Sequence, residues 1–152
     1  MLLFIHVAVS LVGIATGFVL MWGMLKSRPL NGWTAVFLAT TLATSATGFL
    51  FPFQGVTPGI ILGIISIPLL ALAIYARYAR GMQGAWRPVY LLSALVAQYL
   101  NVLVLIVQSF QKIGPLHDLA PNQNELPFVA AQLAALAAFL VIGALALKKF
   151  HP

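Results

Sequence analysis

The chain has 152 residues, of which 62% are hydrophobic and only 7% are charged, and its mean hydropathy is +1.03. This composition cannot supply the polar surface of a water-soluble domain, and it predicts an integral membrane protein. The absence of cysteine excludes disulfides and thiolate metal sites. The net charge of +6 comes from basic residues in short connections between apolar segments, which is a topology signal, so we expect no nucleic-acid partner.

Five long apolar segments follow one another along the chain, at about 2–24, 34–53, 59–76, 88–110 and 127–147. Each is close to the roughly 20 residues that an α-helix needs to cross a hydrocarbon layer of about 30 Å. No linker or change of composition divides them. The sequence therefore predicts one all-α domain over residues 1–152, an integral membrane bundle of five transmembrane helices.

The charged residues are divided unequally between the two ends of these segments. Lys112 shares its side with Asp118 and Glu125, the only two acidic residues. The other seven basic residues fall on the opposite side: Lys26, Arg28, Arg77, Arg80, Arg87, Lys148 and Lys149. The positive-inside rule makes that side cytoplasmic, so we expect the N-terminus outside and the C-terminus in the cytoplasm.

The first segment begins at Met1 without a basic leader region, and we interpret it as a retained span rather than a signal peptide. It places His6 about one helical turn inside the outer boundary. Gly13 and Gly17 form a GxxxG pair, a spacing that lets two helix backbones approach closely. We expect the glycines to contact a neighbouring helix and His6 to be the one ionisable candidate for a site inside the membrane.

The second and third segments contribute polar candidates near the outer boundary and a proline in the middle of the third span. Thr47 lies near the outer end of the second segment, at the expected level of His6, and Gln54 in the following turn is a candidate outside the membrane. Pro58 opens the third segment, where a first-turn N–H needs no partner. Pro68 predicts a kink in the middle of that span because it removes a backbone hydrogen bond.

The fourth segment carries three amides in an otherwise apolar stretch. Gln98, Asn101 and Gln108 are separated by three and seven residues, so they project from one helical face. An amide turned towards lipid would leave donors and acceptors unsatisfied, at a cost of several kcal/mol. We therefore expect this face to look into the bundle.

The remaining candidates lie between the fourth and fifth segments and at the start of the fifth. The connection 111–126 holds His117 and Asp118 and is large enough to carry a site by itself. Gln132 lies about one turn inside the fifth segment. Three alanines follow at the spacing of a helix contact face: Ala130, Ala134 and Ala138.

Two interpretations of the intramembrane polar residues stay open. They can act only as interhelical hydrogen bonds, each worth about 0.6 to 2 kcal/mol. Alternatively they line a pocket that opens outward, with His6, Gln108 and Gln132 at its mouth and Asn101 and Gln98 on its floor.

The sequence offers no arrangement typical of catalysis, since no carboxylate falls within a predicted span and no phosphate loop or nucleophile elbow occurs. We expect no enzymatic activity and predict no cofactor. His6 alone cannot supply the ligands of a haem or a zinc ion. An outer metal site made of His6, His117 and Asp118 is a weaker hypothesis.

Three stretches resemble a family of small multi-span proteins of bacterial inner membranes: TSATGFLFPF from Thr44, YLNVLVLIVQSFQK from Tyr99 and LAPNQNELPF from Leu119. The resemblance covers nearly the whole chain. In that family the turn after the second span often ends in histidine, with another histidine near the third span, whereas this chain has Gln54 and Gly59 there. The resemblance implies the fold and a bacterial inner-membrane location, and it brings no established activity.

Our leading hypothesis from the sequence is a non-enzymatic membrane protein that binds an amphipathic molecule, such as a lipid or a quinone, at an outer-leaflet polar face. The same protein could instead serve as an accessory subunit of a larger membrane complex. The alternative is a small transporter or channel, which would have to be oligomeric. A haem or metal redox protein is the third hypothesis. Membrane lipid, a membrane-protein partner and a second copy of the chain are the expected partners.

Overall fold

The computed structural model describes residues 1–52 and 55–151, which contain helices and no strand. The six helices are α1 (Leu2–Leu25), α2 (Asn31–Gly48), α3 (Pro58–Ile74), α4 (Trp86–Lys112), α5 (Gly114–Leu119) and α6 (Leu126–Lys149). A π-helical turn, Tyr75–Ala79, continues α3. Four helices are long and apolar enough to cross a membrane: α1, α3 with its π turn, α4 and α6. The chain is thus an all-α bundle with four membrane-capable helices.

Helix α2 differs most from its predicted span. It covers 18 residues, five of which are threonines, and it is not among the four membrane-capable helices. The predicted end near residue 53 is wrong, because the helix stops at Gly48 and the N–H of Phe49 bonds to the carbonyl of Ala46 in a turn. The apolar run continues to Pro52, but a proline disfavours helical backbone at the residue before it. Hydropathy therefore overestimated the length of the helix.

The helices pack as a ring of four with one helix outside it. Along the chain α1 packs on α2, α2 on α3 and α3 on α4, and α4 closes the ring against α1. Helix α6 packs on the outer side of α4 and α1. Helix α4 consequently has the largest number of helical neighbours, which explains why the polar face predicted on it lies inside the bundle.

The two ends of the ring have different composition. At one end, which we name the basic end, Arg77 donates to the carbonyl of Pro29 at 3.0 Å and Arg87 donates to that of Phe150 at 2.9 Å. These bonds join the connections α1–α2 and α3–α4 and the end of α6. The opposite end, which we name the loop end, carries Met1, the turn after α2 and the connection 111–126. The seven basic residues that the sequence assigned to one side therefore do share one end.

Most of the buried apolar core lies in the half of the bundle next to the basic end. The side chains with the least exposure there come from all four helices of the ring: Leu20, Met24, Phe37, Leu70, Tyr90 and Leu91. Each of these residues lies within about three turns of the basic end of its helix. This half of the ring is close-packed.

Arg77 is buried in this half although the chain has no acid near it. Only 6% of its surface is exposed, and its guanidinium donates to Asn31 Oδ1 at 2.6 Å and lies 5.0 Å from the Tyr90 ring. Both acidic residues of the chain lie in the segment 111–126 at the loop end. Arg77 therefore fixes the α1–α2 connection through neutral acceptors and a ring face rather than through an ion pair.

The glycines predicted as contacts in α1 do face neighbouring helices, and Gly63 of α3 makes a similar contact. A Cβ at Gly17 would overlap the side-chain amide of Gln98, and one at Gly13 would come within 3.1 Å of the Thr41 hydroxyl. A Cβ at Gly63 would lie 3.0 Å from the Phe49 ring. These glycines are the reason that large side chains of α4 and of the turn after α2 fit between helices.

The alanine face predicted on α6 is wrong. Ala130, Ala134 and Ala138 are all exposed. Helix α6 instead packs through Phe139, Gly143 and Ala146. Alanine is compatible with both lipid and protein neighbours, so the spacing of the three alanines did not identify the contact face. The true contact face contains the large side chain of Phe139, so a search for small residues alone could not find it.

Candidate functional site

A cavity of about 560 Å³ opens in the half of the ring next to the loop end. All four helices of the ring contribute to its walls, together with the turn after α2. Its lining is mainly aliphatic and aromatic, with Leu11, Ile14, Leu62 and Val104 among the lining residues. Ile14 lies about 18 Å along α1 from Leu2 at about 1.5 Å per residue, so the cavity extends well into the bundle.

His6 stands near the mouth of the cavity and is held by α2. Its Nδ1 lies 2.8 Å from the Thr47 hydroxyl oxygen, as the matched depths of the two residues predict. The Thr47 hydroxyl itself donates to the carbonyl of Ala43 at 2.7 Å. Phe51 packs edge-on against the imidazole, with ring centroids 5.2 Å apart. The ring is thus fixed on one side and faces the cavity with the other.

Asn101 forms part of the cavity floor and rests on a deeper amide. Gln98 is completely buried, and its Nε2 donates to the carbonyl of Ile14 at 3.0 Å. Asn101 Nδ2 then donates to Gln98 Oε1 at 3.3 Å and to the Thr41 hydroxyl at 3.4 Å. The two amides therefore form a chain of hydrogen bonds that connects α1, α4 and α2. Only Asn101 of the pair lines the cavity.

Six further polar residues line the cavity without having been predicted: Ser10, Thr44, Ser45, Thr57, Ser66 and Lys112. Ser66 is 7% exposed and lies deep in α3. Lys112 is exposed at the end of α4, where it brings the single basic side chain of the loop end to the mouth. Charge counting placed Lys112 on the correct side, and its spacing of four residues from Gln108 puts it on the same face of α4; the predicted span stopped at residue 110 and so left it out.

The structure brings together three of the five predicted intramembrane candidates, since His6, Asn101 and Gln108 all line the cavity. Gln98 lies below its floor. Gln132 does not reach it, because its Nε2 donates to the carbonyl of Leu103 at 3.4 Å, on the side of α4 that faces α6. Its Oε1 is buried without a hydrogen-bond partner among the described residues.

The candidates outside the predicted spans do not extend this site. His117 and Asp118 are exposed on the short helix α5 and do not line the cavity. Gln54 lies outside the described residues. Within residues 1–52 and 55–151, no group of three or more histidines and acids could hold a metal ion. The site is therefore built from neutral polar side chains and one lysine on an apolar surface.

The cavity does not continue to the basic end within the described residues. Leu20, Phe37, Leu70 and Leu91, each at most 2% exposed, fill the ring towards that end. A cavity that is closed at the bottom and apolar along its walls can hold the hydrocarbon part of a molecule, while the polar residues near its mouth can bind a polar part.

Comparison with protein-family models, with curated proteins and with solved structures found no match for this chain.

Proposed function

We propose that this chain is a multi-pass protein of a bacterial inner membrane that binds an amphipathic, lipid-like molecule in the cavity at the loop end. The observation that carries the proposal is a cavity of about 560 Å³ with predominantly apolar walls and polar side chains at defined positions. Sites for small organic ligands have volumes of about 300 to 1,000 Å³ and the same distribution of apolar and polar groups.

In this proposal α2 crosses the membrane as a fifth span. Its 18 residues correspond to about 27 Å of helix, close to the hydrocarbon thickness of about 30 Å. Its threonines do not forbid insertion, because Thr40, Thr44 and Thr47 donate to backbone carbonyls of their own helix. The basic end would face the cytoplasm, which places the cavity in the outer leaflet and the N-terminus outside.

The lining supports an amphiphile better than a fully polar solute. Leu11, Ile14 and Val104 offer apolar surface to a hydrocarbon chain, while the polar side chains of the wall, among them Gln108 and Lys112, can bind the polar part of the molecule. A solute pathway would also need polar groups towards the basic end, where the described side chains form a close-packed apolar core. This difference favours binding over transport.

The test is native mass spectrometry of the full chain released from mild detergent, with a cavity-filling variant and a matched control. Val104→Trp places a large ring in the cavity, since Val104 lines it. Val96→Trp makes the same change on the same helix at a position that is 41% exposed and outside the cavity. We expect a bound amphiphile on the native chain and on Val96→Trp, and its loss from Val104→Trp.

Equal retention of the same molecule by all three proteins would place it on the outer surface of the bundle and overturn the proposal. So would a native chain that carries no amphiphile and gains none from added membrane lipid extract. A role as accessory subunit is a separate question, which is answered by whether the gently solubilised chain migrates alone or with another membrane protein.

A further inference from the structure

Several polar side chains in the cavity wall share one property, which is that the protein already uses their hydrogens. Ser10 donates its hydroxyl hydrogen to the carbonyl of Val7 at 2.8 Å, and Thr44 donates to that of Thr40 at 2.8 Å. A hydroxyl has one hydrogen and two acceptor positions. Each of these oxygens can therefore only accept a further hydrogen bond from a molecule in the cavity.

The hydrogen on the His6 ring is also already donated within the protein, to the hydroxyl oxygen of Thr47. Because Thr47 gives its only hydrogen to the carbonyl of Ala43, the contact of 2.8 Å with His6 requires Nδ1–H of the ring to be the donor. A neutral imidazole that carries its proton on Nδ1 presents a bare, accepting Nε2. No hydrogen bond involves Nε2 within residues 1–52 and 55–151, and the ring lines the cavity.

Asn101 presents its oxygen for an equally definite reason. The carbonyl of Ile14 can only accept, so the Gln98 atom bonded to it is the amide nitrogen. Gln98 Oε1 then requires the nitrogen of Asn101 as its donor, and the second hydrogen of that nitrogen points to the Thr41 hydroxyl. Asn101 Oδ1 is the remaining polar atom of the side chain, and among the described residues it has no partner.

We infer that the cavity recognises an amphiphile whose polar part carries hydroxyl groups, and that it discriminates against one whose polar part has only acceptors, such as an ester or a quinone. The inference rests on the proposed function, because it names the chemical class of the same ligand. Four acceptors, on Ser10, His6, Thr44 and Asn101, stand in the wall. An occupant can donate to them only through O–H or N–H groups, and an acceptor that an occupant covers without a donor costs free energy.

The cavity also holds side chains that can donate. Gln108 and Lys112 lie at the mouth, where both are exposed, and they can bind an ether or phosphate oxygen of the same ligand. Ser45, Thr57 and Ser66 line the cavity, and among the described residues no hydrogen bond uses their hydroxyl hydrogens, so each can donate or accept. The preference for hydroxyl groups therefore comes from the four side chains whose hydrogens are already used, whereas the other polar side chains tolerate several polar groups.

The experiment compares 1-O-hexadecylglycerol with its di-O-methyl derivative, in which methyl groups replace both hydroxyl hydrogens. Both are offered at equal concentration to the delipidated full chain in detergent, and the bound fraction of each is measured by native mass spectrometry. One hydrogen bond that is made by one probe and lost by the other corresponds to roughly a fivefold ratio. We expect the free glycerol ether to be favoured at least about fivefold.

The matched variants are Thr44→Val and Thr40→Val. Both threonines bond back to their own helix, but only Thr44 lines the cavity. We expect Thr44→Val to reduce the preference for the hydroxylated probe about fivefold while Thr40→Val leaves it unchanged. As a second readout, ¹⁵N spectra of labelled histidine should show the His6 Nε2 resonance shifting with the hydroxylated probe only.

The outcomes separate the two proposals. If both probes bind the native chain equally and neither binds Val104→Trp, the hydroxyl preference is overturned and the proposal of a lipid-binding cavity is retained. A preference that is the same in Thr44→Val and Thr40→Val would also overturn it. Failure of both probes and of membrane lipid extract to bind would overturn the proposed function itself.

Discussion

The two halves of the ring use polar side chains in opposite ways. In the half next to the basic end, Arg77 and Arg87 bind backbone carbonyls of connections that are distant in sequence, and the space between helices is filled. In the half next to the loop end, His6 and Asn101 are held by neighbouring helices but turn an acceptor towards a cavity. The first half joins the helices, and the second leaves room between them.

If the cavity binds a ligand as we propose, this difference places folding and binding in separate parts of a small protein. The same type of hydrogen bond closes the structure at one end and orients a site at the other. Substitutions in the basic half should therefore change stability without changing which ligand binds, and substitutions in the cavity should do the reverse. Four substitutions test this division, from the largest expected effect to the smallest.

Replacing Arg77 should have the largest effect. Arg77→Met keeps most of the side-chain length but removes the charged donor to the Pro29 carbonyl, which then keeps only Thr34, and the donor to the amide oxygen of Asn31. A hydrogen bond from a charged group contributes roughly 1.5 to 3 kcal/mol, so we expect a loss of about 3 kcal/mol in the free energy of unfolding. The measurement is denaturant or thermal unfolding of the purified chain in detergent.

The control is Arg80→Met. Arg80 also lies over an aromatic ring, 5.3 Å from that of Trp86, but it is exposed, and an exposed contact of this kind contributes about 0.5 to 1 kcal/mol. If the two variants lost equal stability, burial of Arg77 would not be what joins the basic end. Probe preference in the cavity should be the same in both.

Replacing Gly17 should have the next largest effect. A methyl group at Gly17 would overlap the Gln98 amide, and overpacking of this kind typically costs about 1 to 3 kcal/mol. We expect Gly17→Ala to lower the unfolding temperature and, because Gln98 holds Asn101, to weaken the preference for the hydroxylated probe. Gly32→Ala is the control, since a Cβ there meets nothing within 4 Å. Wild-type behaviour of Gly17→Ala would contradict the close approach of α1 and α4.

The placement of Gln98, Asn101 and Gly17 shows how far sequence patterns predict this site. Helical spacing put the amides on one face, and the cost of an amide in hydrocarbon turned that face inwards. Counting turns from the loop end placed His6 opposite Thr47. These inferences hold because spacing and depth in a membrane helix follow directly from a rise of about 1.5 Å per residue.

Residues whose role depends on a neighbour were not predictable in this way. Ser66 is a single serine in an apolar helix, a pattern that usually indicates only a bond to the same helix. Gln132 matched the depth of the cavity but lies on the far side of α4, because depth does not specify rotation about a helix axis. Burial of Arg77 follows a π-helical turn, which shifts helical register and has no clear sequence pattern.

Tyr90→Phe should have a smaller effect, in the stabilising direction. The Tyr90 hydroxyl is completely buried and lacks a hydrogen-bond partner in the described part of the chain, so its removal should relieve a desolvation cost of about 1 kcal/mol. The ring face that meets Arg77 is kept. Tyr99→Phe, on the same helix and only partly buried, should be neutral. A clear loss of stability in Tyr90→Phe alone would show that the hydroxyl does bond to Arg77 or Thr34.

The smallest effect is expected in the connection at the loop end. The Glu125 carboxylate accepts the N–H groups of Asn122 and Asn124 at 3.1 and 3.2 Å. Desolvation opposes ionisation, but hydrogen bonds from the backbone of Glu125 itself and from Asn122 and Asn124 together outweigh it and hold the pKa of Glu125 below its usual value. A lowered pKa in the folded state means that the stabilisation is complete above the usual value of about 4.5 and is lost as the pH falls through the folded pKa.

Glu125→Gln should therefore speed amide exchange of Asn122 and Asn124 at neutral pH and remove the change in their exchange protection that the native chain shows on acidification. Asp118→Asn removes the other acid of the same segment, whose carboxylate makes no hydrogen bond among the described residues, and should leave both amides as in the native chain. Because residues 113–126 do not line the cavity, neither variant should alter the preference for hydroxylated probes. A change in that preference would mean that residues 113–126 take part in ligand recognition and that the binding half extends beyond the ring.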